Sequence, residues 1–206
     1  MKKIYYLKLF FLCAIIGATA CERKIEESVV DDLSWDISPD SESQVIEKKI
    51  EGIVFKFCLL NEQDKPATIF KEGENFSFNF SVTNQSKKDL YYDAYLLSYN
   101  KQFLRIYNSS NFDFGKSYEP ILHEDIGIVA YPFNDGDVKI IKVPWLHEKQ
   151  LVLRVEDFRY ESIVQKPLAK GFYYTNFKYS FYFQEKQSGN FVRTDSINFK
   201  INFKIQ

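Results

Sequence analysis

Few residues in this chain could do chemistry. Cysteine occurs at 13, 21 and 58, and histidine at 123 and 147. A thiolate nucleophile needs a neighbouring base or cation, and a structural metal needs several ligands at fixed spacing. Neither histidine has a second ligand at helical or strand spacing, and His123-Glu124-Asp125 reads as a solvated loop. Asn134-Asp135-Gly136-Asp137 has oxygens that calcium would accept, but it lacks the loop length and the closing glutamate, so it reads as a turn. No nucleophile elbow, phosphate loop or dinucleotide fingerprint is present. Carboxylates are plentiful, yet none can be paired across a cleft, which leaves glycoside hydrolysis unsupported. The expectation is a non-enzymatic protein with no cofactor and no metal. Its net charge of −1 presents no basic face to nucleic acid.

Cys21 stands apart because of what precedes it. Lys2 and Lys3 are followed by the run LFFLCAIIGATAC, Leu9 to Cys21. A basic start, a short apolar stretch and the small residues Gly17, Ala18, Thr19 and Ala20 make a secretory signal, too short to span a bilayer. A cysteine directly after such an exit resembles the lipobox of bacterial lipoproteins, and more closely the looser Bacteroidetes type. Ala18 stands where the commonest pattern has leucine. The resemblance implies cleavage before Cys21, acylation of its thiol, and a lipid anchor at the outer membrane, on the periplasmic or cell-surface face. The alternatives are an ordinary A-x-A cleavage site, Ala18-Thr19-Ala20, that leaves Cys21 an unmodified first residue, and an uncleaved anchor.

The expected layout is a signal peptide over 1–20, an acidic flexible tether over 21–49 and one domain over 50–206. In the tether, acidic residues from Glu22 to Glu47 outnumber the basic ones, and Ser38-Pro39-Asp40-Ser41 breaks any helix. Such a segment buries too little apolar surface to offset its ordering entropy. Val29, Val30, Leu33, Trp35 and Ile37 are the apolar exceptions; they suit a docking segment or an added edge strand, although a weakly ordered linker is the simpler reading. With Cys13 lost and Cys21 anchored, Cys58 is left without a disulfide partner. It lies in the apolar run Ile53 to Leu60 and reads as a buried thiol.

The elements that must position any site are strands. The chain holds 20 Phe and 14 Tyr, side chains that pack well on a pleated surface. Phe76, Phe78, Phe80 and Val82 alternate with Ser77, Asn79, Ser81 and Thr83, which predicts a half-exposed antiparallel strand. Leu90 to Tyr99, Phe103 to Tyr107, Val138 to Val143 and Leu151 to Val155 are further candidates. Phe172 to Phe183 and Ile197 to Ile205 read as a long hairpin joined near Gln187-Ser188-Gly189-Asn190. The predicted fold is all-β: an Ig-like antiparallel two-sheet sandwich of about 7–9 strands, with a closed barrel as alternative. Its polar strand faces would meet solvent, and its aromatic faces would fill the layer between the sheets.

Pro66 to Phe78 with Thr83-Asn84, Phe103 to Tyr107 with Gly115-Lys116, and Ala169 to Tyr174 resemble a pattern in Bacteroidetes lipoproteins of unassigned function. A Gly-Glu opening to an alternating strand and a late Gly-aromatic strand also resemble, more faintly, the Bacillus intracellular proteinase inhibitor domain. Asp195-Ser196-Ile197 is similar to a short O-glycosylation motif of exported Bacteroidetes proteins, which makes Ser196 a candidate acceptor. The function expected is a non-catalytic binding or assembly module of the cell envelope, with an envelope protein or glycan as partner. A proteinase-inhibitor-like domain and a glycan-binding accessory protein are the alternatives. Contact is expected through the loops Lys87 to Asp89, Ser109 to Glu119 and Asn134 to Asp137. Trp145 reads as core, or else as a face on which sugar could stack.

Overall fold

A computed structural model describes residues 33–93, 97, 100–120, 130–147, 152–155 and 158–206. All of them belong to the compact unit Asp32–Gln206. Cys13, Cys21 and His123 lie outside the described residues.

No helix occurs among the described residues, and the strands run in the order β1 (Leu33–Ile37), β2 (Ile46–Ile50), β3 (Ile53–Leu60), β4 (Ile69–Phe70), β5 (Ser77–Asn84) and β6 (Leu90–Asp93). Next come β7 (Ile106–Asn108), β8 (Asp113–Gly115), β9 (Tyr118–Pro120), β10 (Ala130–Phe133), β11 (Val138–Pro144) and β12 (Val152–Val155). The last are β13 (Phe158–Ser162), β14 (Gly171–Tyr179), β15 (Tyr182–Glu185), β16 (Phe191–Arg193) and β17 (Ile197–Ile205). One main sheet has the order β1-β17-β14-β7-β8, with β4 also on β17, and the other has β11-β5-β3-β2. Two smaller sheets, β10-β6-β15-β16 and β12-β13-β9, extend the body. The sandwich is therefore Ig-like in plan but richer in strands than 7–9, because several connections form short strands of their own.

Period-2 alternation builds the core. Ile197, Phe199, Ile201, Phe203 and Ile205 of β17 are all buried, as are Phe78, Phe80 and Val82 of β5 and the preceding Phe76. Phe80 sits at the centre, with the rings of Phe57, Phe103, Phe177, Phe181 and Phe199 at 6.2, 6.0, 5.9, 5.8 and 5.6 Å. Edge-to-face and offset pairs of this kind add about 0.5–1.5 kcal/mol each beyond burial. Cys58 is buried, and burial raises its thiol pKa, so it stays protonated.

Three elements differ from the sequence reading. First, the tether does not extend to residue 49: β1 and β2 are strands of the sandwich, and Trp35 is only 8% exposed. β1 pairs with β17 in parallel, as does β4, so the first main sheet is mixed rather than wholly antiparallel. Acidic neighbours such as Asp36 hide this strand from a composition count, yet only alternate positions need be apolar. Second, Phe172 to Phe183 is two strands. β14 pairs with β17, and after Phe181 the chain moves to another sheet, where β15 and β16 close a short hairpin. Thr194 secures the switch, its Oγ1 accepting from Phe181 N at 2.9 Å and its own N–H donating to Phe181 O at 3.0 Å. Third, Phe103 and Leu104 are buried but lie in a turn before β7, not in a strand.

The β2–β3 hairpin shows how local chemistry sets register. Ile50 pairs with Ile53 across Glu51 and Gly52, whose φ values are 48° and 82°. A two-residue turn with both φ positive matches the twist of the strands. Any Cβ at Gly52 would fall 2.6 Å from Ser86 Cα, so glycine is required there.

Candidate binding face

The outer face of the β1-β17-β14-β7 sheet carries an unusual set of side chains. Three consecutive aromatics, Phe172, Tyr173 and Tyr174, occupy β14, and a strand places neighbours on opposite faces. Tyr173 enters the core, so Phe172 and Tyr174 are directed outward. Phe172 is 59% exposed. Across the ladder it meets Lys204, while Tyr174 meets Asn202 on one side and Tyr107 on the other.

The rings are held in place. Tyr107 and Tyr174 stack with centroids 5.1 Å apart and planes 19° from parallel. Tyr174 donates its hydroxyl hydrogen to Asn111 Oδ1 at 2.9 Å. The ammonium of Lys200 lies 5.7 Å from the Tyr174 centroid and that of Lys204 lies 5.3 Å from the Phe172 centroid. Such cation–π contacts contribute about 0.5–1 kcal/mol at exposed sites. Asn202 donates to Asp36 Oδ1 at 2.7 Å and to Ile37 O at 3.2 Å, which leaves its own Oδ1 as an acceptor. Phe172, Tyr174, Asn202, Pro39 and Ser109 border a shallow cleft of about 170 Å³. Ser109 N donates to Phe172 O at 3.2 Å and so ties the β7–β8 turn to the cleft's rim.

The other candidates are placed differently. Trp145, the proposed sugar-stacking residue, is 1% exposed, with Nε1 donating to Lys166 O at 3.2 Å; it is core, and sugar cannot reach it. The loops Lys87–Asp89 and Asn134–Asp137 do come together. Lys87 N donates to Asp135 Oδ1 at 3.0 Å, and Lys186 Nζ donates to Asn134 Oδ1 at 2.6 Å. Buried Asn84 anchors this end by donating to the carbonyls of Lys88 and Phe133, both at 2.8 Å. Lys88 pairs with Glu185 and holds that carboxyl below its ordinary range, with help from Ser188. The Lys88–Glu185 pair and these hydrogen bonds tie the loops together, and the cluster works as a clasp.

A cleft of about 530 Å³ beside the C-terminal residue is lined by Glu62, Glu72 and Glu74. Two of these carboxylates already accept backbone N–H groups, Glu74 from Lys71 and Glu62 from Asn75. His147 and Ser117 are buried, and His147 Nε2 and Ser117 Oγ have no hydrogen-bond partner among the described residues. Burial lowers the His147 pKa, opposed by the carbonyls of Pro144 and Ser117. Closed to solvent, the pair offers no access to a substrate. Ser196 is half-buried just before β17, between exposed Asp195 and buried Ile197.

Sequence reasoning missed the outer rings because it assigned aromatic residues as a class to the core. The run Phe172-Tyr173-Tyr174 held the signal, since no strand can bury three successive rings on one face.

No protein-family model matches the chain, and no curated protein matches it. Among solved structures it is similar to the ASH / PapD-like domain of human CEP192 (PapD-like domain 7), at 8% identity, covering 82% of this chain and 92% of that one, with a TM-score of 0.32. The fold assignment rests on the chain's own strand pairing.

Proposed function

We propose that the protein is a non-catalytic binding module of the cell envelope, lipid-anchored at Cys21 in the outer membrane, and that the Phe172–Tyr174 face meets its partner. The observation that carries this reading is an exposed ring in a central strand, flanked by tyrosines already locked by stacking and a hydrogen bond. A preorganised aromatic surface loses little entropy on binding, and hot spots are rich in such residues. The acidic segment after Cys21 and before β1 would hold the sandwich away from the lipid surface. Ser196 is a proposed O-glycosylation acceptor on the same reading.

Two measurements test it. Palmitate should label the wild-type chain and not Cys21→Ser, and the variant should leave the detergent phase on partitioning. The mature C21S chain should sediment with isolated envelopes, and F172A with Y174A should weaken that binding by at least about tenfold. Unchanged binding of the double variant would refute the assignment of this face.

A further inference from the structure

We infer that β16 is a self-association edge, and that its occupant is β16 of a second copy, running antiparallel with a two-fold axis at Val192. The surface is separate from the Phe172–Tyr174 face, because it belongs to the β10-β6-β15-β16 sheet. Among the described residues no strand lies beyond β16. Only one side of its backbone is used. Asn190 O accepts from Glu185 N at 2.8 Å, and Thr194 N donates to Phe181 O at 3.0 Å, so Asn190, Val192 and Thr194 are the positions that bond toward β15. An antiparallel ladder alternates, which turns the N–H and C=O groups of Phe191 and Arg193 away from β15 and toward the open edge. The opposite edge of this sheet, β10, carries Pro132, which has no N–H to offer a further strand.

The side chains select the occupant. Phe191, at 71% exposure, is the most exposed large apolar side chain among the described residues. It shares the outer face with Arg193, two positions on, and with Tyr182, which pairs with Arg193 across the ladder. The Arg193 guanidinium lies 4.9 Å from the Tyr182 centroid and has no carboxylate partner among the described residues. A two-fold axis at Val192 sets Phe191 opposite Arg193 of the second copy, and Arg193 opposite Phe191 of the second copy. Each guanidinium then lies between Tyr182 of its own chain and a phenyl ring of the other, which supplies the cation–π complement that both exposed groups lack. Like charges do not stand opposite each other, and both pairs exchange their N–H···O bonds. The strand is thus complementary to itself. Such a contact is isologous and closes at two copies, joining two four-stranded sheets into one that ends at β10 on either side.

Sedimentation equilibrium of the mature C21S chain tests the inference. It should show a monomer–dimer equilibrium with a Kd on the order of 0.1 mM, weak because so short an edge is a small interface. F191R sets arginine against arginine and should weaken the dimer about tenfold or more. Exchanging the two residues, F191R with R193F, renews the ring–cation pairing and should return the Kd to within about threefold of the parent. All variants should melt within a few degrees of the parent, since both positions are exposed. Register is read by cysteine pairing. A mixture of F191C and R193C chains should form a disulfide-linked heterodimer on mild oxidation, and neither variant alone should link, because the two-fold axis holds like positions too far apart. A chain that stays monomeric at millimolar concentration would overturn the inference, as would a dimer indifferent to F191R. A dimer that F172A disrupts and F191R does not would move the contact to the Phe172–Tyr174 face. Linking of F191C to itself as readily as to R193C would overturn the axis at Val192.

Discussion

Phe80 and Phe172 are the same side chain under opposite constraints. Phe80 packs among five rings between the sheets, and Phe172 stands in water beside one lysine. Phe80→Ala should cost about 3–5 kcal/mol in urea unfolding, because the cavity cannot collapse. Phe172→Ala should stay within about 0.5 kcal/mol of the parent, as for a surface change. His147 supplies a pH dependence of known sign. Burial depresses its folded pKa, so the unfolded chain gains a proton near pH 6.5 that the folded chain resists. Stability is complete above that value and falls as pH drops through it toward the lower folded pKa. Urea midpoints should decline between about pH 7 and pH 5, and His147→Gln should remove part of that decline.

At the scale of the element, β1 decides where the domain begins. Trp35 meets Phe199 edge-on at 4.9 Å and Phe55 at 6.2 Å, which bridges the two main sheets at one edge. Were residues 33–37 a tether, truncating this side chain would leave stability unchanged. As a strand of the sandwich, it should lose about 3 kcal/mol or more on Trp35→Ala, read from the same urea titration. The clasp of loops around Asn84 is the second element with a clear task. It fixes the turn between β10 and β11 against the end of β5, through Gly136 N to Asn84 O at 2.7 Å and Asn84 N to Asp137 O at 3.0 Å. Every group of the Asn84 amide is used there, with Oδ1 accepting from Ser86 N at 3.0 Å.

For the whole molecule, the governing fact is that the last strand is central. β17 bonds to β1, near the start of the described residues, to β4 and to β14. Its five inward side chains are all buried. The sheet cannot close until the C-terminal segment is available, so folding depends on contacts far apart in sequence and should be slow, on the order of milliseconds to seconds. A chain ending at residue 196 should show no cooperative thermal transition and a disordered far-ultraviolet dichroism spectrum. The full chain should unfold cooperatively.

The alternation of Phe76 to Val82 and of Ile197 to Ile205 made the all-β class and the inner face of the core legible from the chain alone. Side-chain period is a local property, and it survives without knowledge of partners. Strand membership of Leu33–Ile37 was not legible in the same way, since its partner β17 lies at the opposite end of the sequence. The run Phe172-Tyr173-Tyr174 required rings on both faces, but which ring met water depended on which face β5 and β3 covered. Trp145 and Phe172 were equally aromatic on paper; packing buried one and left the other exposed. Composition and period thus determined what could form the core, while the pairing of distant strands decided which rings and lysines share an open face.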